Sequence, residues 1–445
     1  MDFSVQAARI NSTPDYNQKP TTIERRILMQ NIKYLSHSNF SINKSFTAFV
    51  LMILISLAGT IRGFSQAPIG DRQIVSSIET AIADDQLIDP DALKISSLNG
   101  IVTMEGWTSN LLVKDRAVKI ATSIKGVRSI IDRMSVRPAF VRDDVIQQNV
   151  KNALAYDPAT ESYEVNVTSD NYIVTLTGTV DSWQEKQLAA EVAKGIKGVQ
   201  KIENNIDVQF NGNRDDSEIE MEIKRRMQSS IWVDAEAFSV KVNNHVVTIS
   251  GYVGDLPEKN RAYTMAWVPG VKNVNDENLI VASVLDDDMQ KKNRFMTVTD
   301  EQIKSTIEDA MMYDPRVASY QPNIEVENKV VSLTGKVKDF LAKRAAGENA
   351  KNTYGVKTVK NDLLVQPVFS PADEIIEEHV EEALLWDPVV EKYQISVDVV
   401  NGEVLLNGIV NNAFEKHRAV RVAGGIAGVV GVNNAITIQS PTAVY

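Results

Sequence analysis

Residues Asn401 to Ile436, NGEVLLNGIVNNAFEKHRAVRVAGGIAGVVGVNNAI, contain most of one unit of a pattern that occurs five times along the chain. Each unit has a glycine at the end of an alternating apolar stretch, and successive glycines lie 72, 73, 84 and 73 residues apart. A regular period of this kind is typical of tandem structural units. The glycines are Gly106, Gly178, Gly251, Gly335 and Gly408.

Other residues keep a fixed distance from this glycine. In every unit an asparagine lies seven residues before it, a lysine eight residues after it, and alanines eleven and fifteen residues after it. A Gly-Val pair follows nineteen or twenty residues after the same glycine. The sequence therefore predicts five tandem copies of one unit of about 70 residues, which we number copy 1 to copy 5. The lysines are Lys114, Lys186, Lys259, Lys343 and Lys416.

The apolar spacing within a unit predicts helix, strand, strand, helix, strand. The first helix is expected to begin at an aspartate that serves as its N-cap, and an asparagine with positive φ is expected to close the hairpin. The predicted fold is α+β, with tandem αββαβ sandwich domains, each a three-stranded sheet backed by two helices on one face. The N-cap candidates are Asp71, Asp143, Asp300 and Asp373.

Small residues in each unit predict close packing between the second helix and the sheet. Two alanines four residues apart share one helical face, and the strand glycine has no side chain. We therefore expect the helix to approach the sheet closely at the alanines and at the glycine alike.

The repeat also sets the predicted domain boundaries. The linkers are short except for residues 285–299, LDDDMQKKNRFMTVT, which contain both signs of charge. A hinge there predicts two blocks, copies 1 to 3 and copies 4 to 5. The predicted regions are a leader at 1–67 and domains at 71–137, 143–210, 219–284, 300–367 and 373–440.

The leader contains one uncharged apolar segment, residues 45–61, between Lys44 and Arg62. Its dense part, Phe46 to Ala58, has the length of a signal-peptide core and is shorter than the roughly 20 residues that span a bilayer comfortably. Three interpretations are open: a cleaved signal peptide, an uncleaved signal anchor, or a buried helix. The first predicts a periplasmic protein, and the second predicts a protein tethered to the inner membrane through residues 45–61.

Composition excludes several classes of protein. Apolar residues make up 43% and charged residues 24% of the 445 residues, which is ordinary for soluble domains. The absence of cysteine excludes a disulfide framework, thiolate metal sites and a lipid-modified cysteine. The net charge is +4 over residues 1–67 and −15 over the remainder. This acidic body argues against a general nucleic-acid binder.

The repeated pattern closely resembles the BON domain, named for bacterial osmotically inducible periplasmic and nodulation proteins. The resemblance is clearest at Asn401-Gly402, Gly408, Glu415-Lys416, Gly428-Val429 and Asn434, and it covers about residues 71–440. It implies an αββαβ fold, export to the bacterial envelope, and binding to phospholipid or other envelope components without catalysis.

The sequence contains no recognisable motif for catalysis or for binding a metal or cofactor. No nucleophile triad, phosphate loop or metal motif is present, so we expect no enzyme, no cofactor, no bound metal and no small-molecule substrate. The G-x-x-G sequences Gly195 to Gly198 and Gly425 to Gly428 match a loop of RNA-binding KH domains. They occur in two copies only and are interpreted as helix stops.

Two recurrent features are candidates for contact with lipid or a partner. The first is the set of five lysines, which could meet phosphate head groups, or could instead extend over the core and pair with nearby carboxylates. The second is an aromatic residue before the Asp-Pro turn, which could pack under the loop or anchor at a membrane interface. The aromatic residues are Tyr156, Tyr313 and Trp386.

The predicted function is that of a non-enzymatic exported protein whose modules bind the phospholipid membrane surface or support envelope integrity under stress. The alternative is a protein–protein interaction scaffold of the envelope without lipid contact.

Overall fold

The computed structural model describes residues 69–160, 163–210, 212, 214–230, 232–282, 298–318, 320–390 and 394–439. The predicted leader, with its apolar segment 45–61, and residues 285–297 of the predicted hinge lie outside these ranges. The chain divides into the units Met1–Ala67 and Pro68–Tyr445, and the five copies belong to the second. Within the described ranges, no helix combines the length and the hydropathy needed to cross a membrane.

Every copy has the predicted order of helix, strand, strand, helix and strand. Copy 1 comprises α1 (Asp71–Ala83), β1 (Leu93–Leu98), β2 (Ile101–Thr108), α2 (Leu111–Ser123) and β3 (Ser129–Val136). Copy 2 comprises α3 (Asp143–Tyr156), β4 (Glu164–Asp170), β5 (Ile173–Val180), α4 (Trp183–Lys194) and β6 (Lys201–Val208). Copy 3 comprises α5 (Asp216–Gln228), β7 (Phe238–Asn243), β8 (Val246–Val253), α6 (Leu256–Ala266) and β9 (Asn273–Val281).

Copy 4 comprises α7 (Asp300–Met312), β10 (Asn323–Glu327), β11 (Val330–Thr334), β12 (Lys336–Val337), α8 (Phe340–Lys351), β13 (Thr358–Asn361) and β14 (Leu364–Val365). Copy 5 comprises α9 (Asp373–Trp386), β15 (Ile395–Val400), β16 (Glu403–Val410), α10 (Ala413–Gly424) and β17 (Gly431–Ile438). In each sheet the first two strands are antiparallel and the third lies parallel to the second. In copy 4 the sheet is interrupted, and β12 and β14 form a separate pair. The predicted α+β class and αββαβ order are confirmed.

The first aspartate of each copy does not cap its helix, and this prediction was wrong. The helix begins at the aspartate itself, and the carboxylate accepts two main-chain N–H groups of the hairpin turn, as Asp143 does from Asn171 and Tyr172. Asp216 holds the turn of copy 3 in the same way. The asparagines have φ between 51° and 54°, because a tight two-residue hairpin turn requires positive φ.

The repeated alanines and glycines have different roles. The alanines of the second helices are fully buried, at 0% exposure, as predicted. In copies 1, 2, 3 and 5 the strand glycine is required by the neighbouring strand, which corrects the expected approach of the helix at this position; in copy 4 a Cβ on Gly335 would lie 3.7 Å from its nearest neighbour. A Cβ on Gly178 would lie 1.9 Å from the carbonyl oxygen of Glu164, and one on Gly408 would lie 2.0 Å from that of Gln394. Both glycines also have φ of 140° or more.

The copies pack on one another, and the prediction of two separate blocks was wrong. Buried side chains of copies 1 and 3 form one continuous cluster, while copies 2, 4 and 5 each have their own. Copies 4 and 5 contact the first three copies directly. Arg225 of copy 3 pairs with Asp309 of copy 4, and the guanidinium of Arg116 in copy 1 lies 4.6 Å from the ring centroid of Phe414 in copy 5.

Candidate functional site

Three of the five repeated lysines fasten the second helix of a copy to its third strand. The Nζ of Lys114 donates to the carbonyl oxygen of Met134 at 2.7 Å and lies 3.1 Å from Asp132. In copy 3, Lys259 lies 3.5 Å from Asp276. In copy 5, Lys416 donates to a carbonyl oxygen of β17. These contacts favour the interpretation in which the lysine extends over the core and pairs there.

The other two lysines have different surroundings. Among the described residues, the ammonium groups of Lys186 and Lys343 have no ion-pair or hydrogen-bond partner. In their copies an asparagine occupies the corresponding position of the third strand. Asn204 and Asn361 donate to the main-chain carbonyl oxygens of Lys186 and Lys343 at 2.8 and 2.7 Å. The two ammonium groups therefore remain candidates for an external anion.

The three predicted aromatic residues lie where copies meet. Tyr156 stacks on His379 of copy 5, with 4.1 Å between ring centroids. The guanidinium of Arg226 in copy 3 lies 4.3 Å from the ring centroid of Tyr313. The carbonyl oxygen of Trp386 accepts a main-chain N–H from copy 2. All three residues are partly buried. The contacts of these three residues therefore favour packing between copies over anchoring at a membrane interface.

Copies 2 and 5 pair reciprocally. The N–H of Lys197 donates to the carbonyl oxygen of Trp386 at 2.7 Å, and the N–H of Ala427 donates to that of Tyr156 at 3.0 Å. Lys197 and Ala427 occupy the same position in the repeat, as do Tyr156 and Trp386. The two bonds are thus related by a local two-fold axis. We call the end of the first helix together with the loop after the second helix the pairing edge.

Copies 3 and 4 pair through the same edge. Arg225 and Asp309 occupy the same position of the first helix and pair with each other, as residues on a two-fold axis do. An isolated antiparallel bridge joins Ser230 of copy 3 to Thr353 of copy 4. Pro269 occupies the position of Lys197 and has no N–H to donate.

A cavity of about 270 Å³ lies where copies 1, 2, 4 and 5 meet. Asp157 lines it and accepts the N–H of Ala159 at 2.8 Å. Burial raises the pKa of Asp157 to about 7. The corresponding aspartates have arginine partners: Arg116 lies 2.5 Å from Asp85, and Arg418 lies 2.6 Å from Asp387.

Copy 2 has Leu188 where copies 1 and 5 have those arginines. Among the described residues, Asp157 therefore has no arginine partner like those of Asp85 and Asp387 to offset the burial that raises its pKa. Sequence reasoning missed this group, although the exchange of arginine for leucine between copies was a readable signal.

A second cleft, of about 500 Å³, lies between copies 2 and 3. Trp183 and Trp267 stack in its wall with 5.2 Å between ring centroids. Lys186 and Lys272 also line it, together with Arg214, which pairs with Glu222. The Nε1 of Trp267 and the Nδ1 of His245 are buried without a hydrogen-bond partner. This cleft combines the available ammonium group of Lys186 with aromatic walls. Within the described ranges, no cluster of acidic or histidine side chains fits a metal ion.

Comparison with known proteins identifies what the chain is similar to. The family model described as BON domain matches residues 70–138, 142–209, 215–283, 299–367 and 372–440. The chain is 27% identical over 143 residues to "Osmotically-inducible protein Y" of Escherichia coli (strain K12), covering 31% of this chain and 71% of that protein. It is 29% identical over 140 residues to "Outer membrane lipoprotein DolP" of Haemophilus influenzae, covering 30% and 72%.

A solved structure of CdsD, a structural protein of the type III secretion system of Chlamydia trachomatis, covers 49% of this chain and 91% of its own. Its TM-score is 0.14 at 15% identity, which is too low to inform the fold.

Proposed function

The chain belongs to the BON domain family, and from that premise we propose that it is a non-enzymatic protein of the cell envelope that contacts phospholipid head groups. One relative is named as an outer membrane lipoprotein and another as osmotically inducible, which supports an exported, periplasmic location and a role in envelope integrity under stress. The alternative location is the inner membrane, through residues 45–61.

The cleft between copies 2 and 3 carries this proposal. Lys186 lines it without an ion pair among the described residues, in contrast to Lys114 and Lys259. A phosphate needs such an available cation. The stacked Trp183 and Trp267 supply the aromatic surface that favours the boundary between head groups and acyl chains.

The net negative charge outside residues 1–67 restricts the proposed lipid contact to short-range interactions. With a net charge of −15 outside residues 1–67, long-range attraction to an anionic membrane is unfavourable. Binding then depends on the few cations that the cleft presents at short range, so the exchange of one lysine is expected to have a large effect.

Co-sedimentation with vesicles tests the proposal. The compact unit Pro68–Tyr445 is mixed with vesicles of phosphatidylethanolamine and phosphatidylglycerol, and with phosphatidylcholine alone. Lys186→Glu is expected to reduce the sedimented fraction about tenfold. Lys119→Glu, the same charge change at an exposed lysine of α2, is the control and should bind like the parent. Equal binding by the two variants would contradict the proposal.

The second candidate function is a protein–protein scaffold without lipid contact. It is favoured by one observation, the reciprocal pairing of copy 2 with copy 5 and of copy 3 with copy 4, which shows that these modules bind one another. Failure of the parent unit to sediment with either vesicle would favour the scaffold.

A further inference from the structure

The cavity where copies 1, 2, 4 and 5 meet takes no part in the proposed contact with lipid. Its volume of about 270 Å³ lies just below the roughly 300–1,000 Å³ that is usual for small-molecule sites, so it suits a small ligand. All four copies contribute apolar side chains to its wall. These side chains include Leu112, Leu188, Ile196, Leu341 and Val422.

The polar part of the wall is rich in arginine. Copies 2 and 5 contribute the same positions of the repeat but different residues, because Arg421 in copy 5 corresponds to Glu191 in copy 2. Arg418 corresponds in the same way to Leu188. Copies 4 and 5 supply all four arginines of the lining, which are Arg316, Arg344, Arg418 and Arg421.

Three of these arginines have a carboxylate partner, whereas the side chain of Arg421 has none among the described residues. Desolvation lowers the pKa of Arg421, although part of the side chain is exposed, and the like charges of Arg418 and Arg344 lower it further. An anion beside Arg421 relieves this repulsion. The existing pairs are Arg316 with Asp314 at 2.7 Å, Arg344 with Glu348 at 3.6 Å, and Arg418 with Asp387 at 2.6 Å.

Asn149 supplies a hydrogen-bond donor to the same cavity. It lines the wall, is only 7% exposed, and its Nδ2 is buried without a hydrogen-bond partner. A buried N–H group that lacks an acceptor costs stability, so such groups are rare in folded proteins. The nearby Asn152 differs, since its Oδ1 accepts from Gln148 at 2.8 Å. The amide of Asn149 therefore needs an acceptor that a ligand oxygen can provide.

We propose that this cavity binds a small organic anion, a carboxylate with a compact apolar body. Arg421 supplies the charge, Asn149 supplies a donor, and the apolar wall accommodates the body of the ligand. Among the carboxylates of the wall, Glu191 is paired with Lys194, while Glu382 has no cationic partner among the described residues. The proposal goes beyond the proposed function and does not depend on it, because the cleft between copies 2 and 3 is a different site.

Isothermal titration calorimetry of the full chain with 3-phenylpropionate tests this site. The titration is made at about pH 6, where the carboxyl group of Asp157 is mostly protonated because burial raises its pKa to about 7. We expect saturable binding, and binding about tenfold weaker or less for the neutral 3-phenylpropionamide. Absence of saturable binding, or equal affinity for the acid and the amide, would overturn the proposal.

An exchange of Arg421 places the ligand in the cavity. Arg421→Gln should weaken the binding of 3-phenylpropionate about tenfold or more. Lys119→Gln is the control, because it removes the same charge at the same position of the repeat from an exposed residue of copy 1 outside the cavity. It should bind like the parent. Equal losses in the two variants would overturn the proposal.

Two further variants separate binding from structure. Asn149→Leu removes a buried amide that has no partner, so its midpoint of denaturation by urea should be no lower than that of the parent, while its affinity falls severalfold. Glu382→Gln removes a negative charge from the wall and should bind at least as tightly as the parent. Unchanged affinity in Asn149→Leu, or a loss in Glu382→Gln as large as that in Arg421→Gln, would overturn the proposal.

Discussion

Tyr156 stacks on His379 with 4.1 Å between ring centroids and 17° between ring planes, and its carbonyl oxygen accepts the N–H of Ala427. One residue of copy 2 thus makes a side-chain and a main-chain contact with copy 5. The local two-fold axis supplies a counterpart of the main-chain contact at Trp386. The modules are therefore joined by specific bonds as well as by short linkers.

Removal of the Tyr156 ring should weaken this pairing. Tyr156→Ala loses a stacked, partly buried ring, and we expect the free energy of unfolding to fall by roughly 1–3 kcal/mol. Urea denaturation of Pro68–Tyr445 measures it. Tyr252→Ala removes a ring that is 51% exposed, and it should change the free energy by less than about 0.5 kcal/mol. Equal losses would show that the stack contributes no specific stability.

Gly178→Ala tests the close approach of neighbouring strands. A Cβ would lie 1.9 Å from the carbonyl oxygen of Glu164, at a φ of 140° that side chains disfavour. We expect a loss of at least about 2 kcal/mol in the free energy of unfolding. Gly425→Ala is the control, because its Cβ would have no neighbour closer than 3.4 Å. An unaltered melting temperature for Gly178→Ala would refute this account of the repeated glycine.

Asp143→Asn tests the carboxylate that holds the hairpin turn. Hydrogen bonds from the N–H of Tyr172, from Ser169 and from the N–H of Asn171 hold the pKa of Asp143 below its usual 3.8. Because the folded pKa is lowered, this stabilisation is present above the unfolded pKa and is lost as the pH falls through the folded pKa.

At pH 7 the Asp143→Asn variant should melt on the order of a few degrees below the parent, and the difference should vanish in strong acid. Thermal unfolding followed by circular dichroism at several pH values measures it. Asp144→Asn, at the exposed neighbour, should melt like the parent at every pH. A difference that persists unchanged below the folded pKa would count against the carboxylate.

Asp157→Asn tests the carboxylate of the cavity, which Arg316, Lys338 and Asp339 influence electrostatically. Burial raises the pKa of Asp157 in the folded protein to about 7, so the folded state is favoured when this carboxyl group is protonated. This contribution to the free energy of unfolding is complete below the unfolded pKa of 3.8 and is lost as the pH rises through about 7. Denaturant titrations should show the parent losing stability across this window, by at most about 1.4 kcal/mol per pH unit. The variant should show a flatter profile, and an identical profile would exclude Asp157 as the source.

The sequence predicted the repeated fold well, because its signals are local. The asparagine turns, the buried alanines and the apolar spacing act within one copy, and all of them lie as expected. The arrangement of the copies could not be predicted from the sequence, because it depends on complementary surfaces that lie far apart in the chain. The position of Tyr156 and Trp386 was recognised as unusual, but its partners, such as His379 and Lys197, lie in another copy.

The repeated lysine shows where the signal was ambiguous. Asp132 departs from the asparagine of other copies, and the structure explains this departure, because Asp132 pairs with Lys114. In copy 2 the same strand position is Asn204, and Lys186 lacks an acidic partner among the described residues. Comparison of the copies at this strand position separates Lys114 and Lys259, whose copies have an aspartate there, from the other lysines. It does not separate Lys416, which donates to a carbonyl oxygen of β17 although its copy has an asparagine at this position.

Amide hydrogen exchange at Lys197 and Ala427 tests most directly whether modules pair reciprocally within the chain. Each N–H bonds to a carbonyl oxygen of another copy, so we predict that both amides exchange slowly in the parent and that both become fast together in Tyr156→Ala. Fast exchange at both amides in the intact protein, at the rate of an exposed loop, would contradict the pairing of copies 2 and 5.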